Sequence, residues 1–174
     1  MPNRWKPNVT VSAVIERDQR FLLVEENTAD GLRLNTPAGH LDPAETPIQA
    51  CAREVLEETA YSFSPTELVG IYMNRFIRTR TGSDITYMRF AFTGALGLHH
   101  AHRALDEGIV RTVWLSLEEL QASARLHRGP VVLQSVQDYL AGQRFDARMI
   151  QADASIYSVP EPTPQTQDLL VRLQ

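Results

Sequence analysis

The sequence predicts an α/β domain in which helices cover a β-sheet, and three observations carry that prediction. Runs rich in apolar and β-branched residues, alternating strand-fashion where they are clearest, recur at 9–15, 68–76 and 85–96. The segment 47–59 repeats its apolar residues with helical spacing behind a capping signal. A second helical period, Val132, Leu133, Val136, Tyr139 and Leu140, follows the last strand-like run and supplies a second cover for the sheet.

Val9, Val11, Ala13 and Ile15 form the apolar face of the first strand. Asp18 and Gln19 interrupt before Phe21–Val24, which predicts a hairpin and a central pair of strands. Residues 25–31 are polar and are expected to break the sheet; Glu25 and Glu26 read as exposed loop acids, with a metal site at the strand end as the rival reading. Residues 33–40, RLNTPAGH, form a brief extended piece and a turn, in which Gly39 can bring its backbone close to a ligand. Thr46 and Gln49 form a capping box with Pro47 in the first turn, so a helix is expected over 47–59. Its apolar stripe is Ile48, Ala52, Val55, Leu56 and Thr59, and Cys51 on the flank is a partly buried filler. Tyr61–Pro65 reads as a connection, followed by strands over 68–76 and 85–96 around a turn at Thr81–Ser83. His99, His100 and His102 lack any strong period that would fix their directions, so a zinc site there is disfavoured. Ile109–Leu115 is a strand, Ser116 caps a short helix with Glu119 in the reciprocal position, and Gly142 can end the helix that starts at Pro130.

A chain of 174 residues, 43% hydrophobic and 22% charged, suits one domain plus a tail. A formal charge of −4 offers no general attraction to long nucleic acid or an anionic membrane, so a phosphate-bearing ligand must be held locally. One cysteine excludes an intrachain disulfide, and no segment reaches membrane-spanning length; a cytoplasmic enzyme, monomer or homodimer, is expected. The proline-rich segment 151–174 is expected to be an extended tail whose last leucines can dock on the body or on a second subunit.

The helix carries Glu54, Glu57 and Glu58 nearly opposite its apolar stripe and toward its C-terminal half. Negative charge there opposes the helix dipole, and a hard divalent cation would remove the repulsion. The surrounding pattern of Gly39, Glu45, Arg53, Glu54, Val55, Glu57 and Glu58 resembles in register the signature of Nudix hydrolases, which cleave a diphosphate linked to another group. Ala60 stands where that signature has glycine and Tyr61 where it has an apolar residue; the departure predicts a locally shifted helix exit with the charged positions intact.

The resemblance implies a Nudix fold, an α-β-α sandwich around a mixed β-sheet, over residues 6–150. It also implies Mg²⁺, with Mn²⁺ as substitute, held by Glu54, Glu57, Glu58 and the Gly39 carbonyl, with Arg53 orienting the acids and Glu45 supporting Arg53. Glu57 or Glu58 activates water, or an acid outside the signature does so, for which Asp106 and Glu107 are the candidates. Arg33, Asn35 and His40 before the helix, and Arg75 and Arg78 on the later hairpin, are candidates for contacting substrate. For His40, Arg75 and Arg78 a bland role as polar surface residues stands beside that one. The runs KPNVTVSAVIE, FLLVEE, NTPAGHLDPAET and AGQRFDARMI are similar to a small bacterial group of Nudix phosphatases. That narrower likeness implies stepwise orthophosphate release from nucleoside di- and triphosphates and from thiamine pyrophosphate or its hydroxymethylpyrimidine precursor. A nucleotide pyrophosphohydrolase acting on oxidised nucleoside triphosphates, ADP-ribose or an RNA 5′ end is the alternative, and a non-catalytic ligand-binding module is a more distant one.

Overall fold

The structure, a computed structural model, describes residues 4–78 and 81–158. The expected docking residues at the end of the tail lie outside the described residues. The first strand, β1 (Asn8–Ala13), enters a five-stranded mixed sheet one place in from its edge. It runs parallel to β7 (Ser83–His99) and antiparallel to β5 (Ala38–His40), so Val11 lies between Phe90 and Gly39. β6 (Tyr61–Arg78) pairs with β7 in a long hairpin, and β9 (Phe145–Asp146) closes the far edge.

A second sheet is built around β3 (Arg20–Thr28). It pairs with β2 (Glu16–Arg17) and β4 (Gly31–Asn35) on one side and with β8 (Ile109–Leu115) on the other. The hairpin expected at Asp18 and Gln19 forms, with both residues at positive φ, as the twist of a two-residue turn demands. Residues 25–28 do not break the sheet: β3 continues through Glu26 because β4 and β8 pair with it from both sides.

Tyr61–Pro65 is likewise strand rather than connection, since each of these residues but one pairs across to β7. Gly94 permits the approach, because a Cβ there would lie 2.0 Å from the Ser64 carbonyl oxygen.

Helices cover both faces of the five-stranded sheet. α1 (Pro47–Thr59) lays Ala50, Cys51 and Val55 against Val11, Ala13, Leu68 and Phe92. α3 (Val131–Leu140) lays Val132 and Val136 against Val69 and Ala91, beside Leu120 from the short α2 (Leu117–Ala122). The expected helix–sheet–helix arrangement is therefore present, with separate cores on its two sides. Among the described residues no helix is long and apolar enough to cross a membrane.

Candidate active site

The helix α1 starts where its sequence says it must. Thr46 Oγ1 accepts from the Gln49 amide at 3.3 Å, and Gln49 Oε1 accepts from the Thr46 amide at 2.9 Å, which satisfies two otherwise orphaned donors. Its buried stripe is Ala50, Cys51, Glu54, Val55, Glu58 and Thr59, rotated from the one expected. Ala52 and Leu56 are only half-buried, while Cys51 is fully enclosed. The rotation follows from β5, which closes over the flank of the helix and draws two of the three carboxylates into the seam.

At that seam Glu54 rests against Gly39, where a Cβ would lie 2.0 Å from Glu54 Oε1. Glu58 Oε2 accepts from the Ala38 amide at 2.8 Å. Burial foremost pushes the Glu58 carboxyl up to about 8, the Ala38 bond opposing and the charges of Glu54, Glu26 and Asp106 adding to it. Burial also raises Glu54, against the pull of Arg53.

Arg53 organises the remaining carboxylates. Its guanidinium donates to both oxygens of Glu45 at 3.0 and 2.7 Å, to Glu54 at 2.8 Å, to Glu57 at 2.9 Å and to the His40 carbonyl at 2.9 Å. Hydrogen bonding from Arg53 holds the Glu45 carboxyl below its ordinary value. One planar fork thus ties the loop before the helix to two acids on it.

The helix exit does not shift. Ala60 itself adopts the left-handed conformation, φ 58 and ψ 16, and its amide donates to Leu56. The strand β6 begins at the next residue, which leaves no room for a longer exit.

Beyond the helix, the Asp106 amide donates to the Glu57 carbonyl at 3.0 Å, which brings the Asp106 carboxylate within electrostatic reach of Glu54 and Glu58. Glu107 is exposed. Asn35 is buried and faces the gap between the sheets; Arg33 lies further out on the same face of β4, donating to the Leu32 carbonyl. His40 is exposed, with its ring 5.8 Å from that of Tyr87.

Arg75 and Arg78 are not brought to the carboxylates. Arg75 forms a two-pronged pair with Asp84 on the exposed hairpin, and Arg78 lies opposite Ser83 at the hairpin end. At ~3.3 Å per residue that end is roughly 20 Å along the strand from Tyr72.

Two further residues enter the site: Glu26, for which a strand-end metal site stands only as the rival reading of the sequence, and Arg89, which sequence reading does not single out. Glu26, expected in an exposed loop, sits within β3 opposite Arg33; its Oε1 is buried without a hydrogen bond, 3.6 Å from Arg128 Nε. Arg89 reaches from β7 into the same gap, with Nη1 3.4 Å from Asn35 Oδ1 and Nε 3.5 Å from Thr10 Oγ1. Burial lowers its pKa, against the charges of Glu26 and Glu58. The available signal was an arginine inside the apolar strand, between Met88 and Phe90.

Among the described residues no three His, Cys, Asp or Glu side chains are already gathered as a cation cage. The reason is visible: Glu54 and Glu57 are turned onto Arg53, and Glu58 onto Ala38. The donor set still suits a hard divalent cation, because it is all oxygen and because burial, with the charges of neighbouring acids added, raises Glu54 and Glu58.

Residues 6–134 match the family model described as the NUDIX domain. Phosphatase NudJ of Escherichia coli (strain K12) is 36% identical over 146 residues, covering 84% of this chain and 92% of that protein. A NUDIX hydrolase from Nitrosomonas europaea of known structure is 48% identical, with a TM-score of 0.78 over 85% of this chain and 98% of its own. The NUDIX domain of Shewanella oneidensis NrtR complexed with ADP ribose, 18% identical, shares the fold with a TM-score of 0.59 over 80% of this chain and 90% of its own.

Proposed function

The chain belongs to the Nudix hydrolase superfamily and is an enzyme acting on phosphate-anhydride bonds; from that premise we propose that it removes orthophosphate stepwise from small organic pyrophosphates and nucleoside di- and triphosphates. The observation that carries the substrate reading is the likeness to Phosphatase NudJ over 92% of that protein's length. Thiamine pyrophosphate and its hydroxymethylpyrimidine precursor belong to the proposed set.

Mg²⁺, or Mn²⁺ in its place, would be held by Glu54, Glu57, Glu58 and the Gly39 carbonyl. When bound, such an ion neutralises phosphoryl charge and makes water more acidic. Arg53 keeps Glu54 and Glu57 side by side and, through the His40 carbonyl, fixes the loop that carries Gly39. Glu58, whose Oε2 is occupied by the Ala38 amide, takes up the proton of the attacking water through its carboxylate. Asp106, whose amide donates to the Glu57 carbonyl, is the other acid proposed for that task. No covalent nucleophile is required, and the fully buried Cys51, whose thiol burial drives far above its ordinary range, is unsuited to be one.

The test is hydrolysis of a panel of phosphorylated metabolites with Mg²⁺, resolving the first product. Orthophosphate from thiamine pyrophosphate, its pyrimidine precursor or nucleoside di- and triphosphates supports the reading. Pyrophosphate as first product would move the enzyme to the nucleotide pyrophosphohydrolases, and inertness toward the whole set would sink the substrate proposal even if another diphosphate were cleaved.

A further inference from the structure

One face of the sheet carries, across β5, β6 and β7, a cationic group and a row of aromatic rings. Arg89 and Tyr87 alternate onto the same face, roughly 7 Å apart along the strand, and their neighbours in register are Thr10 and Asn8 on β1 and Tyr72 and Asn74 on β6. α3 covers this face as far as Tyr72, whose hydroxyl donates to Asp138 at 2.8 Å. Beyond that point the face is open. There the Phe76 ring stacks on Tyr87 at 5.8 Å and 17°, and the His40 ring flanks Tyr87 on the other side at 5.8 Å and 55°. Phe76 is 41% exposed.

Two features of this arrangement have no account in the fold alone. Among the described residues Arg89 has no carboxylate within 4 Å, only two long bonds to neutral oxygens, although withdrawing a guanidinium even partly from water without an anion is costly. The aromatic row is left facing solvent beside Arg89, and His40, which flanks it, gives its carbonyl to Arg53 of α1 and follows the Gly39 that touches Glu54. A cross-strand aromatic pair also steadies the hairpin, but that does not require the pair to lie in line with Arg89.

We propose that this face is the substrate-recognition surface: Arg89, anchored by Thr10 and Asn35, takes a phosphoryl oxygen, and Tyr87, Phe76 and His40 form a subsite for a flat heteroaromatic ring joined to the diphosphate. The inference deepens the functional reading above and rests on it for the diphosphate. A base stacked on an aromatic side chain typically gains enough that removing the side chain weakens binding on the order of tenfold. An arginine lost from a phosphate contact weakens every anionic ligand, ring or no ring.

The experiment is calorimetry of the full chain with Mg²⁺ and three non-hydrolysable probes: the methylene analogues of ADP and CDP, which bear a purine and a pyrimidine, and methylenediphosphonate, which bears neither. Wild type is expected to bind at least one ring-bearing probe about tenfold more tightly than methylenediphosphonate. Phe76→Ser, at an exposed position, and Tyr87→Leu, which keeps the strand, should erase that advantage and leave methylenediphosphonate unchanged. Arg89→Met should weaken all three, and Arg89→Lys should restore part of the loss. Equal affinity of wild type for ringed and ringless probes, or an unchanged ring advantage in both aromatic variants, overturns the subsite; an unaltered Arg89→Met overturns the anion contact. Because binding is read without turnover, ring-dependent affinity in a protein that hydrolyses nothing would refute the functional reading and leave the subsite standing.

Discussion

Gly39 and Glu54 are in such close contact that no side chain fits between them: a Cβ on Gly39 would lie 2.0 Å from Glu54 Oε1 and 2.1 Å from its carboxyl carbon. The obstructing atoms are the far end of a flexible side chain, so Gly39→Ala can be relieved by swinging Glu54 aside. That movement breaks its 2.8 Å bond to Arg53. The expected outcome is a folded protein with near-parental melting temperature whose kcat/KM falls roughly 100-fold, the scale on which small misplacements act. Parental activity in a folded Gly39→Ala protein would show that Glu54 has no part in the chemistry.

Arg53 joins the Glu45 segment to the helix through a two-pronged pair that only a guanidinium can make. Arg53→Lys is expected to lower stability by about 2 kcal/mol and to lower kcat by at least about tenfold, since Glu54 and Glu57 lose their common partner. A double-mutant cycle with Glu45→Gln checks the origin of the stability loss. Additive effects of Arg53→Lys and Glu45→Gln would mean that the pair is not coupled.

The parts of this site that were legible in the sequence are those set by local spacing. The capping box fixes where α1 begins, and the interval from Gly39 to Glu58 is read directly from the chain. What was not legible depends on partners far away in sequence. Glu26 looks like a loop acid until β4 and β8 pair with β3 on both sides. Tyr61–Pro65 looks like a connection until Gly94 admits it to the sheet. The buried stripe of α1 differs from the one its periodicity predicts because helical periodicity scores side chains by polarity, whereas β5 buries Glu54 and Glu58 by position. Arg89 could be suspected from its apolar flanks, but which way it faces is decided by the register with β1.

Glu58 is a carboxylate at 8% exposure with one hydrogen bond and three acidic neighbours. Its charge is a burden on the fold without a cation. Glu58→Gln keeps the acceptor for the Ala38 amide and removes that charge. In chelator at pH 7.5 the variant is expected to be more stable than the parent by on the order of 1–3 kcal/mol, while hydrolysis with Mg²⁺ falls sharply. A variant destabilised in chelator would mean that the carboxylate is satisfied as it stands.

Ala60 holds φ 58 at the helix exit, a conformation that costs a non-glycine residue about 1–2 kcal/mol. Glycine removes that cost but adds unfolded-state entropy. Ala60→Gly is therefore expected to raise stability by about 0.5–1 kcal/mol without changing kcat, because no carboxylate moves. Denaturant midpoints at equal m-value would measure it, and a loss of stability would show that the buried methyl outweighs the strain.

His127 is buried beside β4, where it bridges Leu34 and the next amide, Arg128, donates to the Leu34 carbonyl at 2.8 Å. Burial holds its pKa below the ordinary value of 6.5, a hydrogen bond with the Leu120 backbone opposing. Folding therefore favours the neutral ring, and the unfolded chain binds the proton more readily. The stability this contributes is fully present above about pH 6.5 and is lost as pH falls through the lowered folded value. Glu58 acts in the opposite sense, since its raised pKa favours the folded state in acid, so the two must be separated by subtraction. The stability of wild type minus that of His127→Gln should fall steadily from pH 7 to pH 5, and a difference that stays flat across that range would mean the ring is as easily protonated in the fold as outside it.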